Sequence, residues 1–135
     1  MFAYIAGPLY NEGERRFDEL IDQCAREAGF QTYLPHRDLG LFSSPEDSSR
    51  PFAGDLDQLI RADTVIANLD GMSTDAGTAW ELGFAYATGK RLFGVRTDFR
   101  VHASHSETNP MISNSLETIM HSIDELREYL SAGKK

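Results

Sequence analysis

Short apolar runs alternate with segments of helical periodicity along almost the whole sequence, and this alternation constrains the fold more than any other feature. The apolar runs predict buried strands at residues 2–7, 31–35, 64–70, 91–95 and 117–121. Helical spacing or helix-start signals predict helices within residues 12–28, 53–63, 71–90 and 122–133. Strands that alternate with helices form a parallel sheet with right-handed crossovers.

The chain length and this order of elements predict one α/β domain over residues 1–135. A chain of this size buries roughly 65–70% of its unfolded surface. We expect a flavodoxin-like three-layer α/β/α sandwich around a mainly parallel five-stranded sheet, with ligands bound beyond the carboxyl ends of the strands. The turns after Ala6, Leu69 and Val95 should converge there. Residues 35–51, rich in Ser, Pro and charge, are predicted to form a long functional or mobile loop.

The formal net charge of -8 argues against a nucleic-acid polymer as partner, because phosphate backbones require basic patches. It does not exclude a single small nucleoside. No apolar run approaches the roughly 20 residues of a membrane span. Cys24, the single cysteine, lies on the apolar face of the first predicted helix and is interpreted as a core residue. With no signal-peptide pattern at the N-terminus, we expect a cytoplasmic protein that binds no membrane.

Glu81 lies in the stretch after the third predicted strand, and its spacing permits two interpretations. Thr78 followed by Glu81 matches a capping box, in which Glu81 would only satisfy a backbone N–H at the helix start. A catalytic role is favoured by the position of the turn after a central strand and by Asp75, which lies in that turn. Gly83, inside the helix, indicates close approach of another group, although packing against the sheet would also account for it.

The expected place of Glu81 in the first helical turn also predicts its charge. The positive end of the helix macrodipole stabilises an anion there, so we expect Glu81 to be ionised at neutral pH. An ionised carboxylate suits a nucleophile, whereas a proton donor needs a setting less favourable for charge, and Asp55 and Asp75 are the candidates. One attacking and one protonating group are the requirements of retaining glycosyl transfer. This pattern does not identify the sugar.

Four motifs occur in order along the chain: "AYIAGPLY", "GDLDQLIRAD", "DAGTAWELGFA" and "TNPMIS". The third fits the pattern D-x-G-x-x-x-E-[LI]-G. From Tyr4 to about Ser113, this ordered set resembles the nucleoside 2-deoxyribosyltransferase family, which also includes 2'-deoxynucleoside 5'-monophosphate N-hydrolases. The functional residues implied by the motifs are Tyr4, Asp55, Asp75, Glu81, Asn109 and Met111.

The resemblance implies a reaction at the N-glycosidic bond of a 2'-deoxyribonucleoside. Glu81 would attack C1' and form a covalent deoxyribosyl ester, which another nucleobase or water would capture. Asp55 and Asp75 would hold the base, with Asp55 as the proton donor. Tyr4 would hydrogen-bond to Glu81 and orient it.

The resemblance also implies how the substrate is held. Asn109 would bind the sugar 5'-hydroxyl from a neighbouring subunit, in an inserted segment that also carries Met111, so a homodimer or larger homo-oligomer is expected. Gly7 and Gly77, within the matched motifs, are assigned to substrate binding. The implied partners are a deoxynucleoside and a free nucleobase, and no metal or organic cofactor is required.

Two alternatives stay open. In the monophosphate hydrolases of the family, a Ser/Gly/Arg-rich first loop is expected to form a phosphate cradle. A serine takes the place of Asn109 in them. Here the first loop contains Glu12 and Glu14, whose charges would repel a phosphate, although Arg15 and Arg16 follow. We therefore favour a free nucleoside. The other alternative is a nucleotide-binding module of similar fold without catalysis.

Further residues near the motifs have weaker assignments. Phe42 and Phe52 flank the 35–51 loop and would stack on a base, whereas Trp80 is interpreted as core or cavity wall. The H-x-x-H sequence at residues 102–105 has no strong metal-binding pattern around it, so no metal site is predicted.

Overall fold

The five predicted strands pair into one parallel sheet. The computed structural model describes residues 1–41, 44–100 and 108–133. The strands are β1 (Phe2–Ala6), β2 (Gln31–Tyr33), β3 (Thr64–Asn68), β4 (Arg91–Val95) and β5 (Thr118–Met120). Their order is β2-β1-β3-β4-β5, and every pairing is parallel. The strand order changes direction between β1 and β3, so the switch point lies at the carboxyl ends of these two strands.

Helices cover both faces of this sheet. They are α1 (Glu12–Glu27), α2 (Pro35–Asp38), α3 (Ser49–Arg61), α4 (Ala76–Ala87), α5 (Pro110–Ser113) and α6 (Ile123–Ala132). One core cluster contains Ile21 of α1 and Leu126 of α6, and a second contains Leu59 of α3 and Leu82 of α4. The predicted three-layer α/β fold is therefore confirmed. Within the described ranges, no helix is both long enough and apolar enough to cross a membrane.

Local signals determine where α1 begins and ends. The N-cap Asn11 accepts a hydrogen bond from the Glu14 backbone N–H at 2.9 Å, and the Glu14 carboxylate accepts one from the Asn11 N–H at 3.2 Å. After the helix, Gly29 adopts a φ of 93°, which favours glycine. Cys24 is buried in the first core cluster, as its place on the apolar face predicted.

The predicted long loop at residues 35–51 is wrong, because much of this segment is helical. α2 begins at Pro35, a short 3₁₀ turn spans Pro45–Asp47, and α3 begins at Ser49. Proline at the first helical position loses no hydrogen bond and already has the required φ, so both prolines start helical turns. Arg37 Nη1 then joins α2 to α1 by donating to Asp22 Oδ2 at 2.7 Å. Phe42 lies outside the described residues.

Buried Arg96 joins the turn after β3 to the segment after β4. Its Nη1 donates to the carbonyls of Leu69 and Gly71, at 3.0 and 3.1 Å. The Asp70 carboxylate accepts a hydrogen bond from the Asp98 backbone N–H at 2.9 Å. These contacts bring two of the three predicted turns together and fix the connection that leads into α4.

Candidate active site

Asp75, and not Thr78, caps the helix that carries Glu81. Asp75 Oδ2 accepts hydrogen bonds from the Thr78 backbone N–H at 3.1 Å and from its hydroxyl at 3.3 Å. α4 therefore begins at Ala76, and Glu81 is its sixth residue. The predicted Thr78–Glu81 capping box is wrong, because the free N–H groups belong to the first turn. The macrodipole effect also fades beyond that turn, so it does not hold Glu81 in its ionised form.

An open cavity of about 450 Å³ lies between β1, α3 and α4. Four of the predicted site residues line it, namely Tyr4, Asp55, Gly77 and Glu81. The rest of its lining is apolar or aromatic and consists of Phe52, Leu56, Leu59, Ala76 and Trp80. The fold thus places two carboxyl groups in one largely apolar space near the switch point.

Burial controls the protonation of Glu81. It is the main reason that the pKa of Glu81 rises to about 8, and the nearby Asp55 and Asp75 add to the rise. Glu81 Oε2 is shielded from solvent and has no hydrogen-bond partner among the described residues. Glu81 is therefore mostly protonated at neutral pH in the free protein, and the expectation that the helix end keeps it ionised is wrong.

Tyr4 is buried in β1 close to Glu81. Burial first, and then the charge of Glu81, raise the pKa of Tyr4 well above its ordinary value, while the Tyr4 hydroxyl lowers the pKa of Glu81. The two groups nevertheless do not meet at hydrogen-bonding geometry, since the Tyr4 hydroxyl has no partner in the described part of the chain. The predicted hydrogen bond therefore stays a prediction: the Tyr4 hydroxyl lowers the pKa of Glu81 as a hydrogen-bond donor does, but the pair lies outside ordinary hydrogen-bond geometry.

Asp55 is held by a residue that the sequence motifs did not identify. The Tyr33 hydroxyl donates to Asp55 Oδ1 at 2.9 Å. Burial raises the pKa of Asp55, and the hydrogen bond from Tyr33 lowers it. Tyr33 ends β2, and its ring centroid lies 5.5 Å from that of Tyr4 on the adjacent strand. The apolar run that predicted β2 contained Tyr33, but only the order of strands in the sheet brings it to Asp55.

Aromatic side chains form one wall of the cavity. Trp80 stacks on Phe84 with a centroid distance of 5.7 Å and packs edge-on against Phe52 at 5.9 Å. Trp80 and Phe52 remain 51% and 56% exposed, so their surfaces are not used up within the core. The assignment of Trp80 to the cavity wall is confirmed, and such surfaces suit a planar ligand. Stacking of a base on Phe52 stays a prediction.

Gly7 and Asp75, both predicted to bind substrate, do not line this cavity. A Cβ on Gly7 would collide with Asp18 Oδ1 and would lie 2.9 Å from Asn68 Cβ. Asp18 is buried, and its Oδ1 accepts a hydrogen bond from Asn68 Nδ2 at 2.8 Å. The structure thus explains Gly7 by close packing in the turn after β1. Asp75 caps α4 and acts on Glu81 through its charge.

Asn109 and Met111 lie at a second cavity, of about 650 Å³, on the other side of α4. Asn109 Oδ1 accepts a hydrogen bond from the Met111 backbone N–H at 2.9 Å, and the Met111 side chain is 83% exposed. Gly83 lines the same cavity, and no described neighbour outside its own helix lies within 4 Å of the place that its Cβ would occupy. The close approach predicted at Gly83 is therefore not found among the described residues. α4 separates Asn109 from Glu81 in a single copy.

Metal binding is not indicated in the described ranges, where no group of three or more His, Cys, Asp or Glu residues is arranged to hold an ion. The H-x-x-H sequence at residues 102–105 lies outside these ranges. The expectation that no metal or cofactor is needed stays a prediction.

Solved structures with a similar fold include two 2-deoxyribosyltransferases and a CMP N-glycosidase. A 2-deoxyribosyltransferase from the psychrotolerant bacterium Bacillus psychrosaccharolyticus is 27% identical with a TM-score of 0.80, and the match covers 96% of this chain and 92% of that one. A 2-deoxyribosyltransferase from Leishmania mexicana is 20% identical with a TM-score of 0.72, covering 97% of each chain. A CMP N-glycosidase from Clostridium botulinum is 18% identical with a TM-score of 0.61, covering 98% and 99%. The last two likenesses concern the fold alone.

The family assignment is more specific than the fold. The model of the nucleoside 2-deoxyribosyltransferase family matches residues 3–116. This chain therefore belongs to the nucleoside 2-deoxyribosyltransferase family, and the resemblance based on its four motifs is confirmed. Among curated proteins, no sequence is significantly similar to it.

Proposed function

We propose that this protein cleaves the N-glycosidic bond of 2'-deoxyribonucleosides with retention and transfers the deoxyribosyl group to another nucleobase or to water. The observation that carries the proposal is the presence of Glu81 and Asp55 in one cavity with different surroundings. Glu81 acts as the nucleophile and Asp55 as the general acid. Family membership supports chemistry at an N-glycosidic bond.

The first half of the reaction forms an ester. A carboxylate oxygen of Glu81 attacks C1' while the bond from C1' to the base nitrogen breaks, and the electron pair of that bond leaves with the base. Asp55 gives its proton to the base and becomes a carboxylate, and the base departs neutral. In the second half, the acceptor nitrogen or water attacks C1' and loses a proton to Asp55. The bond from C1' to the Glu81 oxygen breaks, and its electron pair returns to Glu81 as a carboxylate. Two inversions at C1' give net retention.

The reactive state therefore contains one proton shared by the two carboxyl groups, placed on Asp55. In the free protein burial favours the proton on Glu81. A base that accepts a hydrogen bond from Asp55 favours protonated Asp55, and the nearby Tyr4 hydroxyl favours the Glu81 anion. This is the catalytic role that we assign to Tyr4.

The charge of the cavity supports a free nucleoside as substrate over a 5'-monophosphate. None of the described residues that line the cavity is lysine or arginine, and two are acidic. Arg15 donates to the Leu9 carbonyl at 2.9 Å, and Arg16 pairs with Glu12 at 2.9 Å on the exposed surface. Neither of the two arginines that kept the phosphate alternative open lines the cavity.

A second copy of the chain supplies Asn109 in this proposal. Within one chain, α4 lies between Asn109 and Glu81. Asn109 therefore contributes to the cavity beside Glu81 of a neighbouring copy. It would bind the 5'-hydroxyl of the sugar, with the exposed Met111 beside it. The substrate-binding roles of Gly77 and Asp75 belong to the same proposal.

The direct test is incubation with 2'-deoxyadenosine or thymidine, with and without a second free base, followed by chromatography. A new nucleoside demonstrates transfer, and free base with deoxyribose demonstrates hydrolysis. Mass spectrometry of Glu81→Ala and wild type after rapid quenching should find the sugar adduct in the wild type only. Glu128→Gln, which changes an exposed carboxylate of α6 in the other layer, is the matched control and should retain activity.

The same experiment separates the alternatives. Cleavage restricted to 5'-monophosphates would replace the nucleoside proposal with the hydrolase alternative. A wild type that binds nucleosides and turns over none of these substrates would indicate a non-catalytic module. In our proposal Glu81→Ala folds and still binds a deoxynucleoside, measured by calorimetry, while turnover is lost.

A further inference from the structure

We propose that Tyr33 is a positioning residue for the proton transfer, whose hydroxyl holds Asp55 so that Oδ2 presents the proton to the leaving base. This inference rests on the function proposed above. It adds a residue from β2 to a site otherwise built from β1, α3 and α4.

The sheet itself places Tyr33 beside the reacting groups. Tyr33 and Tyr4 are register partners on adjacent parallel strands, so their side chains project from the same face of the sheet. Their ring centroids are 5.5 Å apart, and both residues are buried. One tyrosine accompanies each carboxyl group, since Tyr4 lies beside Glu81 and Tyr33 bonds to Asp55.

The hydrogen bond distinguishes the two oxygens of Asp55. Tyr33 donates to Oδ1 at 2.9 Å, which occupies that oxygen as an acceptor. Among the described residues, Tyr33 is the side-chain partner of Asp55 and bonds to Oδ1, while Asp55 lines the cavity and leaves Oδ2 for a ligand. A proton on Asp55 is therefore carried by Oδ2, the oxygen left for a ligand. A buried aromatic ring fixes this geometry better than a solvated donor would.

The charges around the pair give a second effect. Asp55 is faced by Tyr33 from β2 and Glu81 from α4, with Tyr4 from β1 nearby, and Asp38 of α2 acts on Tyr33. Donation from Tyr33 favours the Asp55 anion and lowers its pKa. Removing the hydroxyl should therefore move the pH profile of the coupled carboxyl pair to higher pH.

The test compares Tyr33→Phe with wild type on two kinds of substrate. One is 2'-deoxyguanosine, whose base must be protonated to leave neutral. The other is 1,7-dimethyl-2'-deoxyguanosine, whose base has no N1 proton to lose, stays cationic and leaves neutral without a proton. If the wild type cleaves only pyrimidines, 2'-deoxycytidine and 3-methyl-2'-deoxycytidine form the equivalent pair. Tyr129→Phe removes a hydroxyl from α6, in the other layer, and is the control.

For Tyr33→Phe, kcat/KM on the neutral base should fall by about tenfold to a hundredfold, the scale of general acid catalysis. On the cationic base it should stay within about twofold of wild type, because no proton is transferred. The kcat/KM profile for the neutral base should move to higher pH. Tyr129→Phe should match wild type throughout.

Equal losses on both substrates, or no loss on either, would overturn the inference and leave the proposed function standing. A wild type that cleaves no substrate of either kind would overturn both. Circular dichroism reports whether Tyr33→Phe folds. If it does not, 3-fluorotyrosine in place of Tyr33 keeps the ring and makes the hydroxyl a stronger donor. This variant should move the kcat/KM profile to lower pH, and an unchanged profile would contradict the inference.

Discussion

Glu81 and Asp55 line the same cavity but differ in the hydrogen-bond donors that replace water around each carboxyl group. Asp55 receives a hydrogen bond from Tyr33, whereas Glu81 Oε2 receives none from any described residue. The carboxyl group without a donor keeps its proton to higher pH, and the pKa of Glu81 is raised to about 8. Around neutral pH Glu81 therefore carries a proton, and the proposed reaction needs one proton within the pair.

This leads to a prediction for the pH dependence of cleavage. With 2'-deoxyguanosine, kcat/KM should fall as pH rises above about 8, because the pair loses its last proton and has none for the base. With 1,7-dimethyl-2'-deoxyguanosine, which has no N1 proton to lose, it should rise through the same range, because only the Glu81 anion is needed. Initial rates between pH 6 and 9 check both limbs, and parallel profiles for the two substrates would contradict the assignment of acid and nucleophile.

A second prediction at this scale concerns stability. The pKa of Glu81 is raised from 4.5 to about 8, so its contribution to stability is fully present below pH 4.5 and is lost as pH rises to about 8. Glu81→Gln cannot ionise and loses nothing over this range. Relative to wild type, the variant should gain roughly 1–3 kcal/mol of unfolding free energy between pH 5 and pH 9.

Urea unfolding at the two pH values measures this difference. Glu128→Gln, an exposed carboxylate, should show no such gain. If wild type and Glu81→Gln respond identically to pH, Glu81 is not protonated at neutral pH and the description of its burial is incorrect.

At the scale of the elements, two glycines offer opposite tests of packing. Gly7→Ala places a methyl group against Asp18 and Asn68 in the turn after β1, and it should destabilise the protein by about 1–3 kcal/mol. Gly83→Ala meets no described residue outside its own helix within 4 Å, and the better helix propensity of alanine should stabilise α4 by about 0.5–1 kcal/mol. Thermal or urea unfolding measures whether each variant is less or more stable than wild type. A neutral Gly7→Ala would show that the turn can relax.

The aromatic wall of α4 leads to a prediction for binding. Trp80→Ala removes a half-exposed ring from the cavity, and loss of base stacking should raise KM for a deoxynucleoside by roughly tenfold. Trp80→Phe keeps an aromatic face and should lie close to wild type. Steady-state kinetics of the three proteins decide the point, and an unchanged KM in Trp80→Ala would mean that the base lies elsewhere.

The elements were largely predictable from the sequence, whereas their starting points were not. The apolar runs gave all five strands, because buried strands of a parallel sheet are continuous hydrophobic segments. The predicted start of α4 differs from the observed one because Asp75 and Thr78, three positions apart, are both good N-cap residues. That one-turn difference changed the expected charge of Glu81. The prolines of the 35–51 segment were misread in the same way, as loop residues where they begin helical turns.

Across the whole molecule, the sequence predicts that the site lies at the carboxyl edge of the sheet. It does not predict which of the site residues share one cavity. Motifs in order along a chain specify which residues belong together, and the switch point specifies where. They do not specify which side of a helix each residue faces. Tyr33 joins the site only through the neighbouring positions of β1 and β2, and Asn109 is separated from it by α4.

The separation leads to a prediction for the assembly. If each site combines Glu81 of one copy with Asn109 of another, Glu81→Ala and Asn109→Ala should each be nearly inactive alone. Co-expressed in equal amounts and purified through two different tags, they should regain activity, because some sites then receive both intact residues. In a dimer, random pairing restores about a quarter of all sites, and about half of the sites in the heterodimers that carry both tags. Deoxyribosyl transfer by the mixture, compared with the separate variants mixed after assembly, measures the recovery. A mixture as inactive as its components, both folded, would mean that Asn109 does not complete a neighbour's site and that the cavity beside Glu81 acts within a single chain.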